Sequence, residues 1–274
     1  MSETEGLQAS DGGWGSLRRP LALKAKLRAG KPVIGAWLSL NDPVAAEILA
    51  RVGFDFLIID TEHGAWDLVN LQTTLMGFNG TSTAPIVRVA WNDHVRIKQA
   101  LDMGVEGILA PMVRTVEECR SLVRSCRYPP HGTRGFGPRR ASNYYRDMDA
   151  YVAVANDAIF VMPQIEDIAT LDMLDEYLSV PGVDAVAIGP NDLSGTTGFF
   201  RQHDHPANSG AIDTIMARAK AAGIPVCTGV VSRPDQQRDL IARGVLLLTV
   251  TTDVELLAGG AAHSLAANRA AIGD

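Results

Sequence analysis

Cysteine is scarce in this chain: Cys119, Cys126 and Cys227 are the only three among 274 residues. So sparse and odd a set offers no disulfide framework. The step between the first two falls in a helical stretch and does not suit a zinc site, so small buried thiols in a reducing cytoplasm are expected. Long apolar runs are missing as well, and stretches such as Val245–Val250 fall far short of a bilayer span, which argues against membrane attachment. Cations are outnumbered, with 25 Lys and Arg against 31 Asp and Glu for a net charge of −6, and without a basic stripe nucleic acid is not an expected partner. The opening MSETEGLQASDGGWGSLRRP lacks the charged-then-apolar layout of a signal peptide. Residues 1–18 are expected to form a flexible extension, and residues 19–274 the folded domain.

What is present is alternation. Short β-branched apolar runs recur, each followed by a helical pattern: Val33–Leu40, Phe54–Asp60, Ile86–Ala90, Gly107–Pro111, Ala158–Ile165, Ala185–Ile188, Pro225–Thr228 and Leu246–Val250. The runs are continuously apolar, as expected of strands buried on both faces. Eight strand–helix units in a chain near the usual ~250 residues point to a single (β/α)8 TIM barrel. An additional N-terminal helix, Leu21–Ala29, would plug or flank its base. An open doubly wound sheet is the alternative, but eight units favour closure and no glycine fingerprint follows the first strand.

Chemistry in such barrels gathers at the C-terminal ends of the strands. The second run ends in Asp60-Thr61-Glu62-His63, the third carries Arg88, the fifth ends in Gln164-Ile165-Glu166, and the sixth leads into Gly189-Pro190-Asn191-Asp192. Glu166 and Asp192 therefore converge from neighbouring strands. Two close carboxylates repel unless a proton or cation is shared between them, and a hard divalent cation with oxygen ligands resolves that repulsion. Equally, each could cap the helix that follows, and both readings stand at this level. His63 suits proton transfer near neutral pH. Arg88, within an apolar strand, must pair with Asp60 or Glu62 or bind a substrate anion, and substrate binding with some structural pairing is the favoured reading.

Other clusters are weaker. His203-Asp204-His205 falls in a polar stretch before Pro206 and reads as a solvated loop. The Gly132–Gly137 loop follows Tyr128-Pro129-Pro130 and not a strand, so it is a poor phosphate cradle. Its Arg134, Arg139 and Arg140 could still steer an anion toward the barrel mouth. The lysines Lys24, Lys26, Lys31, Lys98 and Lys220 all fall away from strand ends, which argues against Schiff-base chemistry.

Several segments together resemble the metal-dependent class II pyruvate aldolases of the HpcH/HpaI type, the 4-hydroxy-2-oxoheptanedioate and 2-dehydro-3-deoxyglucarate aldolase family. They are Gly35-Ala36-Trp37-Leu38, Asp55 through His63, Val87-Arg88-Val89 with Trp91-Asn92-Asp93, Ile97 through Asp102, Arg127-Tyr128-Pro129-Pro130, Arg134-Gly135, Gln164-Ile165-Glu166 and Ile188 through Ser194. The resemblance runs from about Pro32 to Leu257. It implies reversible cleavage of a 4-hydroxy-2-oxo acid to pyruvate, or a related 2-oxo acid such as hydroxypyruvate, and an aldehyde, through a metal-stabilised enolate. Glu166 and Asp192 match the ligands of Mg²⁺ or Mn²⁺, with Co²⁺ or Zn²⁺ as further candidates. His63 matches the base, Asp102 the acid that orients it, and Arg88 the transition-state stabiliser. Gln164 and the backbone around Asn191 and Asp192 match positions that hold the oxo acid. A homo-oligomer, a hexamer built as a trimer of dimers with the last helix packed on a neighbour, is also implied. Asn191 departs from the small residue common there, and Phe199–Asn208 and Thr228–Pro234 look individual, so they bear on the acceptor. Oxaloacetate decarboxylation or enolate coupling at the same site, a non-catalytic carboxylate-binding barrel, and an acyl-CoA lyase are the competing readings. The last would need a nucleotide-sized groove that the sequence does not signal.

Overall fold

In a computed structural model of the chain, residues 17–273 are described. Eight parallel strands close into a barrel in sequence order: β1 (Val33–Leu38), β2 (Phe56–Asp60), β3 (Ala84–Arg88), β4 (Gly107–Ala110), β5 (Phe160–Ile165), β6 (Val186–Ile188), β7 (Val226–Cys227) and β8 (Val245–Thr252). The helices are α1 (Arg18–Arg28), α2 (Pro43–Val52), α3 (Leu68–Met76), α4 (His94–Asp102), α5 (Val116–Cys126), α6 (Met148–Ala158), α7 (Leu174–Leu178), α8 (Pro190–Thr196), α9 (Pro206–Ala221), α10 (Pro234–Ala242) and α11 (Asp253–Ile272), with a 3-10 segment Ile168–Met173 ahead of α7. Residues 1–16, the bulk of the expected extension, lie outside the described residues. Leu17 is buried and Arg18 already opens α1, so the helix begins three residues ahead of the expected Leu21. Among the described residues no helix is long and apolar enough to cross a membrane.

Caps set the strand–helix turns. Asp42 accepts from the N–H groups of Val44 and Ala45 with Pro43 at the first helical position, Asp93 caps α4, and Thr115 with Glu118 forms a capping box on α5. Each such cap is worth about 1 kcal/mol and fixes where a strand's C-terminal end stops.

Two apolar layers result. Inside the barrel, Phe56, Ile58, Ile86, Leu109, Phe160, Met162 and Leu247 interdigitate. Between strands and helices, Leu57, Ile59, Val87, Ile108, Val161 and their helical partners form the larger core. Each fully buried side chain of this kind stabilises by roughly 2 kcal/mol before entropy is charged against it.

The N-terminal face is sealed by α1, whose Leu23 and Leu27 join the inner layer. Three of its cations meet carboxylates at the entrances of alternate strands. Arg19 grips Glu106 ahead of β4 at 2.6–3.0 Å, Lys24 meets Asp184 ahead of β6 at 2.9 Å, and Lys26 meets Asp55 ahead of β2 at 2.5 Å. Lys24 also donates to the carbonyls of Asp157 and Ile159. Burial pulls its pKa down, and Asp184 offsets only part of that.

Candidate active site

Register assembles the opposite, C-terminal face. Asp60 at the end of β2 pairs in register with Arg88 at the end of β3, so the two side chains stand side by side. Arg88 donates Nε to Asp60 Oδ1 at 2.9 Å and Nη2 to Oδ2 at 2.7 Å, a bidentate fork. Its Nη1 lies 3.2 Å from Glu62 Oε2, and its guanidinium rests 4.7 Å from the centre of the Trp37 ring. Arg88 therefore pairs with both carboxylates that the sequence offered it. Burial works to raise the Asp60 pKa, but the Arg88 hydrogen bonds and charge, with the N–H groups of His63 and Glu62, hold it below the ordinary value. For Glu62 burial prevails over Arg88 and its pKa rises, while Oε2 is buried without a hydrogen-bond partner. His63 is two-thirds exposed at the rim, its Nε2 3.8 Å from Glu62 Oε2.

Across the mouth, β5 and β6 pair Gln164 with Ala187 and Ile165 with Ile188, which brings Glu166 beside Gly189. A methyl group on Gly189 would lie 2.1 Å from Glu166 Oε1, so only glycine lets the carboxylate lie there. Gln164 Nε2 donates to that oxygen at 2.6 Å, and the Met112 N–H to Oε2 at 2.9 Å. Met112 is in the left-handed region at φ 52°, a conformation costing roughly 1 kcal/mol for a non-glycine residue. Glu166 is buried, and its pKa is pushed up to about 7, chiefly by desolvation and further by Asp192 and Glu62.

Capping does not account for this pair. Asp167, not Glu166, caps the 3-10 segment, by accepting from the Ala169 N–H. The N-cap of α8 is Gly189, and Asp192 lies within the first turn. Glu166, Asp192, Gln164, Asn191, Arg88 and His63 all border one cavity of about 300 Å³ at the C-terminal mouth, with Trp37, Ser39, Thr228, Val230 and Thr252.

The donor set fits a hard divalent cation. Glu166 needs a positive neighbour, and Gln164 Oε1 is a second buried acceptor without a partner. Among the described residues no group of three or more His, Cys, Asp or Glu side chains forms a cage. Two protein carboxylates would leave the other coordination positions to water and substrate.

Asp102 is placed differently. It ends α4, which descends from the rim after β3 to the base before β4, and it pairs with Arg134 at 2.8 Å, not with His63. Burial raises its pKa against the pull of Arg134. Arg134 and Arg140 are likewise buried at the base, on Asp102 and on the Met103 carbonyl, so the expectation that they steer anions to the mouth is corrected: their loop follows α5 down to the N-terminal side. His205 caps α9 and stacks on Phe199 at 3.5 Å, in keeping with a structural loop. Sequence reasoning offered Glu62 only as a partner for Arg88 and not as a neighbour of His63, and it missed the Met112 N–H. The acidic run at the end of β2 was the signal for the first, and a backbone donor leaves none.

A closed β/α barrel whose mouth gathers carboxylate and amide oxygens defines a class of protein suited to hold a divalent cation. Residues 33–259 match the HpcH/HpaI aldolase/citrate lyase family, and the chain belongs to it. The 4-hydroxy-2-oxo-heptane-1,7-dioate aldolase of Salmonella paratyphi C is 42% identical over 242 residues, 88% of this chain and 91% of that protein. The crystal structure of an HpcH/HpaI aldolase/citrate lyase family protein from Burkholderia cenocepacia superposes with a TM-score of 0.85 at 31% identity, covering 90% of this chain and 99% of that one. Macrophomate synthase superposes at 0.79 with 27% identity, covering 99% and 98%.

Proposed function

We propose that this carbon–carbon lyase reversibly cleaves a 4-hydroxy-2-oxo acid into pyruvate, or a close relative such as hydroxypyruvate, and an aldehyde. The observation that carries the reading is the mouth itself, where Glu166 and Asp192 face the same cavity as a clamped Arg88 and an exposed His63. Glu166 and Asp192 would hold the cation, and their all-oxygen character favours Mg²⁺ or Mn²⁺. When bound, that ion supplies Lewis-acid polarisation of the oxo acid's carboxylate and keto oxygens.

The chain's own residues do the rest. In the cleavage direction the C3–C4 bond breaks and its electron pair moves toward the C2 oxygen, where Arg88 offers positive charge. His63 takes the proton of the 4-hydroxyl as C4 becomes the aldehyde carbon, and a proton is later returned to C3. Gln164 and the backbone at Asn191 and Asp192 position the oxo acid. Asp60 fixes the Arg88 fork, so that little reorganisation is needed as charge develops.

Within one chain Asp102 does not meet His63, and its expected orienting role requires a second copy. The homo-oligomer is supported by α11, where every described residue after Asp253 is exposed, including Leu257 and Leu265. The likeness to macrophomate synthase, a synthase by name, favours enolate coupling as a second use of the same site, with oxaloacetate decarboxylation as the other reaction the same enolate chemistry would allow.

The test is pyruvate release from a 4-hydroxy-2-oxo acid after chelation, then with Mg²⁺ or Mn²⁺ restored. Turnover should vanish and return, and undiminished turnover in excess chelator rejects the reading. His63→Ala should lower kcat far more than it changes KM, and an effect confined to KM would reject the proton-transfer role.

A further inference from the structure

The base of the barrel holds a second cavity, of about 460 Å³, on the face opposite the mouth. Arg18 and Arg19 of α1 line it together with Asn79 and Gly80, in the turn between α3 and β3. Among its described lining residues the cations Arg18, Arg19 and Arg140 stand against one carboxylate, Glu106.

The turn is built on the Phe78 carbonyl. That oxygen accepts from the Thr81 N–H at 3.2 Å, from Thr81 Oγ1 at 2.9 Å and from Arg19 Nη1 at 2.8 Å. Asn79 and Gly80 are the two central residues. Gly80 has φ 72°, the left-handed value that glycine adopts without strain at the third position of such a turn. With Phe78 and Thr81 closing the turn, its centre is left unengaged. Among the described residues the Gly80 N–H donates to nothing and the Asn79 side chain forms no hydrogen bond. Gly80 is exposed, with open space on its side-chain face.

These are the conditions under which a chain attacks its own carboxamide. The nitrogen that follows an asparagine lies one five-membered ring away from Cγ. It becomes a nucleophile when it loses its proton, and a side chain on the following residue ordinarily obstructs ring closure. Glycine removes that obstruction, the unengaged N–H is open to hydroxide, and nearby guanidinium charge favours the anion. The other eight asparagines lack the combination. None precedes glycine, and Asn208, which precedes Ser209, is buried with its amide donating to the Phe199 and Gln202 carbonyls.

We infer that Asn79-Gly80 is a self-modification site, where the chain exchanges a carboxamide for a carboxylate beside the α1 seal. The Gly80 nitrogen gives its proton to hydroxide and attacks Asn79 Cγ. The new N–Cγ bond closes a succinimide, the Cγ–Nδ2 bond breaks, and the leaving nitrogen takes a proton from water to depart as ammonia. Water then opens the ring at either carbonyl, which gives aspartate or isoaspartate. One water is consumed and one ammonia released, with no change of oxidation state. Arg18 and Arg19 accommodate the new charge. The inference is independent of the aldolase reading.

The test follows residue 79 by peptide mass spectrometry in the full-length protein, held in H2(18)O at pH 8 and at pH 5, folded and, in parallel, unfolded in urea. The folded protein should convert Asn79 to 18O-bearing aspartate and isoaspartate ahead of every other asparagine, and faster at pH 8 than at pH 5. Its rate should lie within about fivefold of that of the unfolded chain, because the turn already exposes the reacting atoms. Protection of Asn79 beyond that margin, or faster conversion of another asparagine in the folded protein, overturns the inference. Asn79→Gln should abolish the signal, and its persistence would overturn the assignment to this residue. Asn79→Asp, which carries the product charge on an unaltered backbone, should melt no lower than the parent. A lower midpoint would overturn the accommodation of the new carboxylate by α1.

Discussion

The two ends of this barrel treat charge in opposite ways. At the N-terminal face every strand-entrance carboxylate named above has a cation from α1: Asp55 with Lys26, Glu106 with Arg19, Asp184 with Lys24. At the C-terminal face carboxylates outnumber cations, Glu166 is driven up to about 7, and Glu62 Oε2 and Gln164 Oε1 are buried without hydrogen-bond partners. At one end these carboxylates meet cations of the chain itself, and at the other an excess of carboxylate is left for ligands to meet. Burial perturbs groups at both ends, raising Asp184 and Asp102 and lowering Lys24 near the base, so the mouth is marked by its surplus of carboxylates over cations and not by perturbation alone.

That contrast can be broken most severely at the mouth. Glu166→Ala or Asp192→Ala should reduce metal-dependent turnover by about a thousandfold or more. Glu166→Ala should also raise, not lower, the thermal midpoint of the metal-free protein at pH 8, because a desolvated charge is removed. A loss of stability there would refute the desolvation cost assigned to that carboxylate.

Next comes the base. Lys24→Ala strands Asp184 among buried groups and should cost about 3–5 kcal/mol in denaturant unfolding, with kcat of the folded fraction unchanged. A drop in kcat comparable to the mouth variants would erase the division between the two faces.

Titration should sharpen the comparison. Glu166 in the fold takes up a proton more readily than its ordinary value of 4.5, up to about 7. Between those values the native state binds more protons than the unfolded chain, so the metal-free protein loses stability as pH rises through this window. The full gap corresponds to at most roughly 3 kcal/mol. Divalent metal should therefore raise the melting temperature more at pH 8 than at pH 5, as read by calorimetry with and without Mn²⁺, and an equal rise at both would refute it. The smallest effect is expected from Lys26→Ala, which removes an ion pair whose lysine is half exposed and should change stability by less than about 1 kcal/mol.

Much of this was legible in the sequence, for physical reasons. Continuous apolar runs announce strands covered on both faces, and helical patterns between them announce parallel crossovers, so all eight strands were anticipated within a few residues of their ends. Boundaries were less visible: the short α8 and the 3-10 segment before α7 carry no full turn-by-turn apolar period. Of the site, Glu166, Asp192, Gln164, Asn191, Arg88 and His63 were legible because strand ends must point into the mouth. The location of Asp102 was not, because a motif's order along the chain does not say which end of a helix a residue reaches. The Arg134 loop misled for the same reason, since glycine and arginine content does not distinguish the top of a barrel from its base. Glu62 was legible as a partner for Arg88, but with Asp60 offering the same role two residues away the sequence did not say that Arg88 would engage both.

Gly189 has a consequence for how this enzyme can be changed. Because any side chain there would collide with Glu166 Oε1 and Gln164 Nε2, the position is closed to ordinary mutation, whether natural or in a library. Two residues on, the side chain of Asn191 is open to solvent, and a change there meets no such collision. Changes to this loop are thus channelled: a substitution at Gly189 displaces the Glu166 carboxylate, so the mouth can be reshaped without disturbing it only through neighbouring positions.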